Sequence, residues 1–96
     1  MGFQLEFSEE AATQLEEIER LDQVKFRKVG KCLWLLKNNP RHPGLRTHEF
    51  KSLTWERGVK VWEAYVESKT SSAWRVFWHY GPRKDVITVL AISSHP

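Results

Sequence analysis

The spacing of the apolar residues changes half-way along this 96-residue chain, and this change limits the folds that it can form. Up to Asn38 the apolar residues recur mainly at helical intervals, after a short alternating segment at residues 3–7. Beyond Leu45 they come in short alternating or continuous runs, which are typical of strands. Residues 39–46, with two prolines and a glycine, predict a loop between the two parts. The sequence therefore predicts helices first and a sheet afterwards.

A strand and two helices are predicted for the first part of the chain. The alternation at 3–7 indicates a strand, and Ser8 then stands where a helix N-cap is favoured. Apolar residues at i, i+4 and i+7 predict a first helix over 9–21, and a second periodic run ends at Asn38-Asn39-Pro40. Because the two helices are close in sequence, we expect an antiparallel helix hairpin.

Short strands are predicted for the second part of the chain. They cover residues 48–53, 59–67, 73–80 and 86–92, with glycine, serine and proline between them. Consecutive strands with short connections favour an antiparallel β-meander. The predicted order is β-α-α-β-β-β(-β), an α+β fold with the hairpin packed on one face of the sheet. The length fits a single domain over residues 1–96.

The strand predicted over 73–80 has two different faces. Trp74, Val76, Trp78 and Tyr80 lie on one face and suit a core, whereas Arg75, Phe77 and His79 lie on the other. An arginine in the middle of a strand needs a partner or an anionic ligand. Two interpretations stay open for Arg75, namely an ion pair with Glu63 or Glu67 on the neighbouring strand, or a role in binding an anion.

The formal net charge of +3 conceals an uneven distribution of charge. Residues 1–24 carry seven acids and one base, whereas residues 25–96 carry 14 bases and five acids. Such a separation indicates that one surface meets a polyanion such as a nucleic acid. The alternative for the acidic part is a solvated face of the first helix.

Several classes of protein are disfavoured by the composition. The single cysteine, Cys32, cannot form an internal disulfide framework and is expected in the core. The four histidines lack metal-ligand spacing, so we expect neither a metal nor another cofactor. No apolar run reaches about 18 residues and the first residues do not look like a signal peptide, so we expect a cytoplasmic protein without membrane contact.

Three segments, taken in order, carry a resemblance to a known family. They are Pro43-Gly44-Leu45-Arg46-Thr47-His48-Glu49-Phe50-Lys51-Ser52-Leu53, then Trp74-Arg75-Val76-Phe77, and finally Ile87–Ile92 with the polar residues up to His95. With the predicted order of elements, they resemble the RelE/ParE toxin superfamily of bacterial toxin–antitoxin systems. The resemblance implies a RelE-like fold and a toxin that cleaves messenger RNA on the ribosome until a cognate antitoxin silences it. A ParE-like inhibitor of DNA gyrase and a non-toxic RNA- or protein-binding relative are the alternatives.

The resemblance also implies roles for particular residues. Arg75 would bind the scissile phosphate, His95 would be the general acid and Lys51 a further catalytic residue, while Arg46 and His48 would hold RNA. Cleavage by the RNA's own 2′-hydroxyl needs a base, an acid and a cation for the charge that develops, but no metal. Glu63 is a conceivable base on these chemical grounds.

The five tryptophans indicate two uses. Trp74 and Trp78 are expected in the core. Trp55 and Trp62 are expected to be exposed, where they would either stack on bases or line an apolar groove that receives an antitoxin segment. Such a segment would be extended or helical and would fold as it binds, which gives a toxin–antitoxin hetero-oligomer.

Overall fold

The computed structural model describes residues 2–54, 58–67 and 73–94. Its elements are β1 (Gln4–Phe7), α1 (Glu9–Leu21), α2 (Gln23–Asn38), a 3₁₀ turn (Pro43–Leu45), β2 (His48–Thr54), β3 (Lys60–Tyr65), β4 (Arg75–Tyr80) and β5 (Val86–Ser93). The predicted α+β order is therefore confirmed, and the fourth strand of the second part is present. Within the described ranges, no helix is long and apolar enough to cross a membrane.

The five strands form one sheet in the order β1-β5-β4-β3-β2. Strands β2 to β5 are successive antiparallel neighbours, so the predicted meander is confirmed. β1 pairs in parallel with β5, from Gln4 beside Val86 to Phe7 beside Val89, which makes the sheet mixed. This parallel pairing could not be predicted, because the alternation of apolar and polar residues in β1 is the same whether its partner strand runs parallel or antiparallel.

Two polar residues determine where the helices begin. The Ser8 hydroxyl accepts a hydrogen bond from the amide of Ala11 at 3.0 Å and donates one to the carbonyl of Leu90 at 2.8 Å. Ser8 therefore caps α1 and also attaches it to β5. Asp22 ends α1, and its carboxylate accepts from the amide of Lys25 at the start of α2. A single residue thus joins the two helices of the hairpin.

The main core lies between the helix hairpin and one face of the sheet. Val76 and Trp78 of β4 are fully buried there, as the alternation of that strand predicted. Trp74 is half-buried against the same core, whereas Tyr80 is 43% exposed because β4 ends at this residue. The helices contribute buried residues at the predicted spacing, namely Ala11, Ile18, Val29, Cys32, Leu33 and Leu36.

A second, smaller cluster covers the face of the sheet that the helices leave open. Phe77 is fully buried there with Val61, Leu90 and Ala91, and its ring lies 5.2 Å from that of Phe50 in an edge-to-face contact. A β-bulge makes this possible, because Phe77 pairs with Ala91 while the next residue of β4 pairs with Val89. The extra residue, Leu90, shifts the alternation of β5, which explains why this strand is apolar almost throughout.

Burial makes the thiol of Cys32 chemically inert, as its core position predicted. The side chain is buried among the helices, and loss of solvation raises the pKa of the thiol from 9.0 to about 12. We expect iodoacetamide to leave the folded chain unmodified at pH 8 and to react fully in denaturant, as mass spectrometry would show. Above about pH 9 the free energy of unfolding should fall, because the unfolded thiol ionises first. Rapid alkylation without denaturant would contradict this.

Candidate functional site

A cluster of polar side chains occupies the end of the helix-free face of the sheet. Glu63 and Tyr65 lie two and four residues after Val61 along β3, so they lie on the same face of the sheet as Val61. The strand register places His48 of β2 opposite Glu63, and Arg75 of β4 opposite Tyr65. We call His48, Glu63, Tyr65 and Arg75, together with Arg46, the polar cluster.

Glu63 is the centre of the polar cluster. It is 4% exposed and is the only charged residue among those described that counts as buried. One of its oxygens accepts a hydrogen bond from Nη1 of Arg75 at 2.8 Å, and the other lies 2.9 Å from Nε2 of His48. A buried carboxylate is tolerated only with such partners. Arg75 and His48 therefore hold the carboxylate of Glu63 and fix its orientation.

Both ring nitrogens of His48 face oxygen acceptors. Nδ1 lies 3.0 Å from the carbonyl oxygen of Arg46, and Nε2 faces the carboxylate of Glu63. Carbonyl and carboxylate oxygens accept hydrogen bonds, so each ring nitrogen has an acceptor within reach. About half of the side chain is exposed, so the ring lies between the buried carboxylate and the solvent.

The ring of Tyr65 gathers the basic groups of the cluster. The guanidinium carbons of Arg46 and Arg75 lie 5.6 and 5.5 Å from its centre, and the ring of His48 lies 5.5 Å away at an angle of 30°. These distances are those of cation–π contacts. Tyr65 was not predicted as a site residue, although its position two residues after Glu63 on the same strand was a usable signal.

Arg75 pairs with Glu63 and not with Glu67. Its side chain is 16% exposed, and its Nε donates to the carbonyl of Ala73 at 3.3 Å. Glu67 lies instead 3.6 Å from Lys25 and 3.8 Å from Lys28, on α2. The first of the two sequence interpretations of Arg75, an ion pair with the neighbouring strand, therefore holds for Glu63. This ion pair is compatible with the second interpretation, in which Arg75 binds an anion, since a guanidinium has five donors in a planar fork.

The structure brings four of the six predicted site residues together, namely Arg46, His48, Glu63 and Arg75. Arg46 is exposed and adopts a left-handed conformation, with φ of 51°, where the 3₁₀ turn ends. Lys51 is exposed on β2 and takes part in none of the ion pairs, hydrogen bonds and ring contacts found in the described ranges. His95 lies outside the described residues. The roles predicted for all six residues stay predictions.

The remaining histidines have local contacts. His42 caps the 3₁₀ turn, where its Nδ1 accepts from the amide of Gly44 at 2.9 Å. His79 lies with Nδ1 2.9 Å from the carbonyl of Tyr80. Considering only the parts of the chain that are described, no three His, Cys, Asp or Glu side chains are grouped as metal ligands would be.

The tryptophans divide differently from the prediction. Trp62 is half-buried and stacks on Trp78, with ring centres 6.3 Å apart. Trp34 on α2, for which no role was predicted, is 63% exposed. The ammonium group of Lys25 lies over the ring of Trp74, 4.5 Å from the ring centre. Trp55 lies outside the described residues, so its predicted exposure is not tested.

The polar cluster has the chemistry of an anion site that also contains a proton acceptor. Two basic side chains, His48 and Arg75, contact the carboxylate of Glu63, and a third, Arg46, lies over the neighbouring ring of Tyr65. Arginine forks bind phosphate oxygens in pairs, and a carboxylate held beside them can accept a proton from a bound hydroxyl. The arrangement therefore suits phosphate esters with a neighbouring hydroxyl group.

No protein-family model matches the sequence, and no curated protein matches it either. Solved structures are similar to it over nearly the whole chain. A "YoeB/ParE toxin from Agrobacterium tumefaciens" has a TM-score of 0.74 at 13% identity, and covers 97% of this chain and 99% of its own. The YoeB dimer from Staphylococcus aureus has a TM-score of 0.67 at 12% identity, and covers 98% of each chain.

An archaeal structure extends this similarity. The RelE-RelB complex from Pyrococcus horikoshii OT3 contains a chain with a TM-score of 0.67 at 14% identity, covering 97% of this chain and 94% of that one. At such identities the three likenesses establish the fold. This chain therefore has the fold of the RelE/ParE toxin superfamily, which its sequence resembles.

Proposed function

We propose that this chain is the toxin of a toxin–antitoxin pair and cleaves messenger RNA on the ribosome. The observation that carries the proposal is the polar cluster, in which the carboxylate of Glu63 is held between Arg75 and His48. A structural ion pair alone needs one cation. Here Glu63 has two basic partners and Arg46 adds a third basic group over the ring of Tyr65, on a face that the helices leave open. An anionic substrate explains this arrangement better.

The proposed reaction uses the 2′-hydroxyl of the RNA. Glu63 takes the proton of this hydroxyl, and the oxygen attacks the adjacent phosphorus while the bond to the 5′-oxygen of the next nucleotide breaks. The products are a 2′,3′-cyclic phosphate and a 5′-hydroxyl, whose proton comes from His95 as the general acid. Arg75 binds the non-bridging oxygens and stabilises their growing charge.

The remaining predicted residues have supporting roles in this scheme. Arg46 and His48 hold the flanking phosphates, since both lie at the exposed side of the cluster. Tyr65 keeps Arg46 and Arg75 in place through its ring. Lys51 is proposed to contact RNA from its exposed position on β2. No metal or other cofactor takes part.

The proposed partner is a cognate antitoxin. One of the similar solved structures is a RelE-RelB complex, and this supports a second chain that silences the present one. The target of the present chain is proposed to be the messenger RNA on cytoplasmic ribosomes. An acidic antitoxin segment would suit the basic polar cluster, because it offers carboxylates where RNA would offer phosphates.

Expression without an antitoxin tests the proposal. We expect induction of the chain in a bacterium to stop growth and amino-acid incorporation within minutes, without inducing the DNA-damage response. Arg75→Ala should abolish the effect. Arg83→Ala is the matched control, since Arg83 also forms an ion pair, with Glu6 at 3.0 Å, but is exposed and follows the opposite end of β4 from Arg75.

Other outcomes would replace the proposal by one of its alternatives. DNA damage with continuing translation would indicate a gyrase inhibitor. Unchanged growth at high expression would indicate a non-toxic binding relative. Full toxicity of Arg75→Ala would show that the polar cluster is not the site.

A further inference from the structure

The outer face of α2 carries positive charge without any acidic residue to balance it. The helix contains five lysines and arginines and no aspartate or glutamate. Two of these bases, Lys25 and Lys28, lie 3.6 and 3.8 Å from Glu67. Arg27 and Lys31 are exposed and form no ion pair within the described part of the chain. Two cations of α2 are therefore available to an anionic partner.

A tryptophan lies on the same face as these two cations. Arg27, Lys31 and Trp34 follow one another at i, i+4 and i+7, which places them in one stripe along the helix. The buried residues of α2 lie on its other side, and they are Val29, Cys32, Leu33 and Leu36. Trp34 is 63% exposed. Its indole ring is therefore accessible to a partner that also meets the two positive charges.

Gly30 lies between these side chains. It follows Arg27 by three residues and precedes Trp34 by four, so it is a neighbour of both on the helix surface. Glycine in the middle of a helix lowers the stability of that helix relative to alanine. A Cβ added at Gly30 would meet no other atom within 4 Å, so packing inside the described chain gives no reason for a glycine here. We call Arg27, Gly30, Lys31 and Trp34 the α2 patch.

Each feature of the α2 patch is unfavourable for the chain by itself. Like charges at i and i+4, such as those of Arg27 and Lys31, repel each other on a helix. The exposed ring of Trp34 leaves a large apolar surface in water, and Gly30 weakens the helix. Unfavourable local choices that are concentrated on one face are expected at functional sites. The α2 patch is therefore better explained by a partner than by the fold.

The chemistry of the α2 patch fits single-stranded RNA. Proteins that bind single strands combine cations, which follow the phosphates, with aromatic side chains on which the bases stack. Arg27 and Lys31 supply the cations and Trp34 supplies the ring, while the missing side chain of Gly30 lets the strand approach the helix backbone. A protein segment usually needs a groove or the edge of a sheet, whereas this patch lies on the outer side of a helix.

We propose that the α2 patch is a second RNA-binding site, with a base stacked on Trp34 and neighbouring phosphates at Arg27 and Lys31. The helices cover one face of the sheet and the polar cluster lies on the other, so the two sites lie on opposite sides of the molecule. Four stacked nucleotides are about 14 Å long, whereas the smallest extent of the molecule is 28 Å. A tetranucleotide therefore occupies one site at a time, and its binding to the α2 patch does not depend on the cleavage proposed for the polar cluster.

Titration with 2′-O-methyl tetra-adenylate, followed by NMR of the tryptophan indole N–H signals, tests the proposal. This probe has no free 2′-hydroxyl group and so is not cleaved by the reaction proposed above. We expect the Trp34 signal, which is identified by its loss in Trp34→Leu, to move. With two phosphate contacts, raising the salt concentration from about 50 to 200 mM should weaken binding roughly sevenfold.

Two results of this titration would overturn the proposal. One is a Trp34 signal that stays in place at about 10 mM probe, since Kd would then lie above the millimolar range. The other is tighter binding of a tetra-aspartate peptide than of the probe, which would indicate an acidic protein partner.

Two variants with matched controls locate the site. Lys31→Gln should lower the slope of log affinity against log salt by about 0.7, the value for one phosphate of a single strand. Lys84→Gln, at an exposed lysine between β4 and β5, should leave the slope unchanged. Trp34→Leu, followed by the backbone amide of Lys31, should weaken the probe roughly five- to 150-fold, and Phe7→Leu, at a partly exposed ring of β1, should not. Unchanged affinity and slope in both patch variants would contradict the site.

Gly30→Ala distinguishes RNA binding from folding. The added methyl group meets no other atom within 4 Å, so Tm should rise by about 4–8 °C. The same change should weaken the probe, because the strand is proposed to lie against the helix at Gly30, and Gly30→Leu should weaken it further. A purely structural glycine would change Tm alone. Parent affinity in Gly30→Leu would therefore contradict the proposed approach of RNA to this face.

Discussion

Replacing Arg75 with alanine is expected to lower the rate of RNA cleavage on programmed ribosomes by about 10²- to 10³-fold, measured in a single turnover. The guanidinium is the most buried base of the polar cluster, and it holds Glu63 at 2.8 Å. Its loss removes both the cation that is proposed to stabilise the transition state and one of the two partners of Glu63, the proposed base. Arg75→Lys should recover only part of the rate, since an ammonium group cannot bind two phosphate oxygens in one plane.

Glu63→Gln separates the two effects of Arg75→Ala, the loss of the cation and the disturbance of Glu63. The amide keeps the size of the side chain but cannot take a proton, so the rate should fall as strongly while RNA binding is kept. Thermal unfolding of each variant shows whether the fold survives. Arg83→Ala should cleave at the parent rate, because its ion pair with Glu6 is exposed. A full rate in Arg75→Lys would contradict the role of the planar guanidinium.

Phe77→Ala is expected to lower the free energy of unfolding by about 3–5 kcal/mol, which is a large part of the stability of a domain of this size. Phe77 is fully buried between β3 and β5, on the face that the helices do not cover. Urea unfolding followed by tryptophan fluorescence measures the loss. Since Glu63 pairs with Phe77 across the strands, the same change should disturb the polar cluster.

Phe7→Ala is the matched control for this variant. Phe7 is 38% exposed at the end of β1, so its removal should cost less than about 1.5 kcal/mol. If the two variants lost the same free energy of unfolding, Phe77 would contribute no more to stability than the partly exposed ring of Phe7.

The features that depend on neighbours in sequence were predictable, and α1 is the clearest case. Its predicted range, 9–21, coincides with Glu9–Leu21, because the cap at Ser8 and the helical spacing both act within a few residues. The strand order of the meander followed for a similar reason, since short connections leave few alternatives.

The features that depend on strand register were less accessible. The sequence allowed Arg75 to form an ion pair with Glu63 or with Glu67. The choice depends on the register of β3 and β4 and on the ion pair that Glu67 forms with Lys25 of α2. The alternation of β4 placed Phe77 away from the main core, but the bulge at Leu90 that helps to bury it cannot be recognised from β5 alone. Tyr65 was missed because its role arises from three groups that converge on it in space.

The position of β5 between β1 and β4 has a consequence during synthesis of the chain. A nascent chain that has not reached Val86 lacks the neighbour of both β1 and β4, so neither strand can be incorporated into a complete sheet. The pairing of β1 with β5 spans almost the whole sequence and should form late. We therefore expect an unfinished chain to be unfolded, so that the activity proposed against ribosome-bound messenger RNA could arise only when translation has passed Ser93.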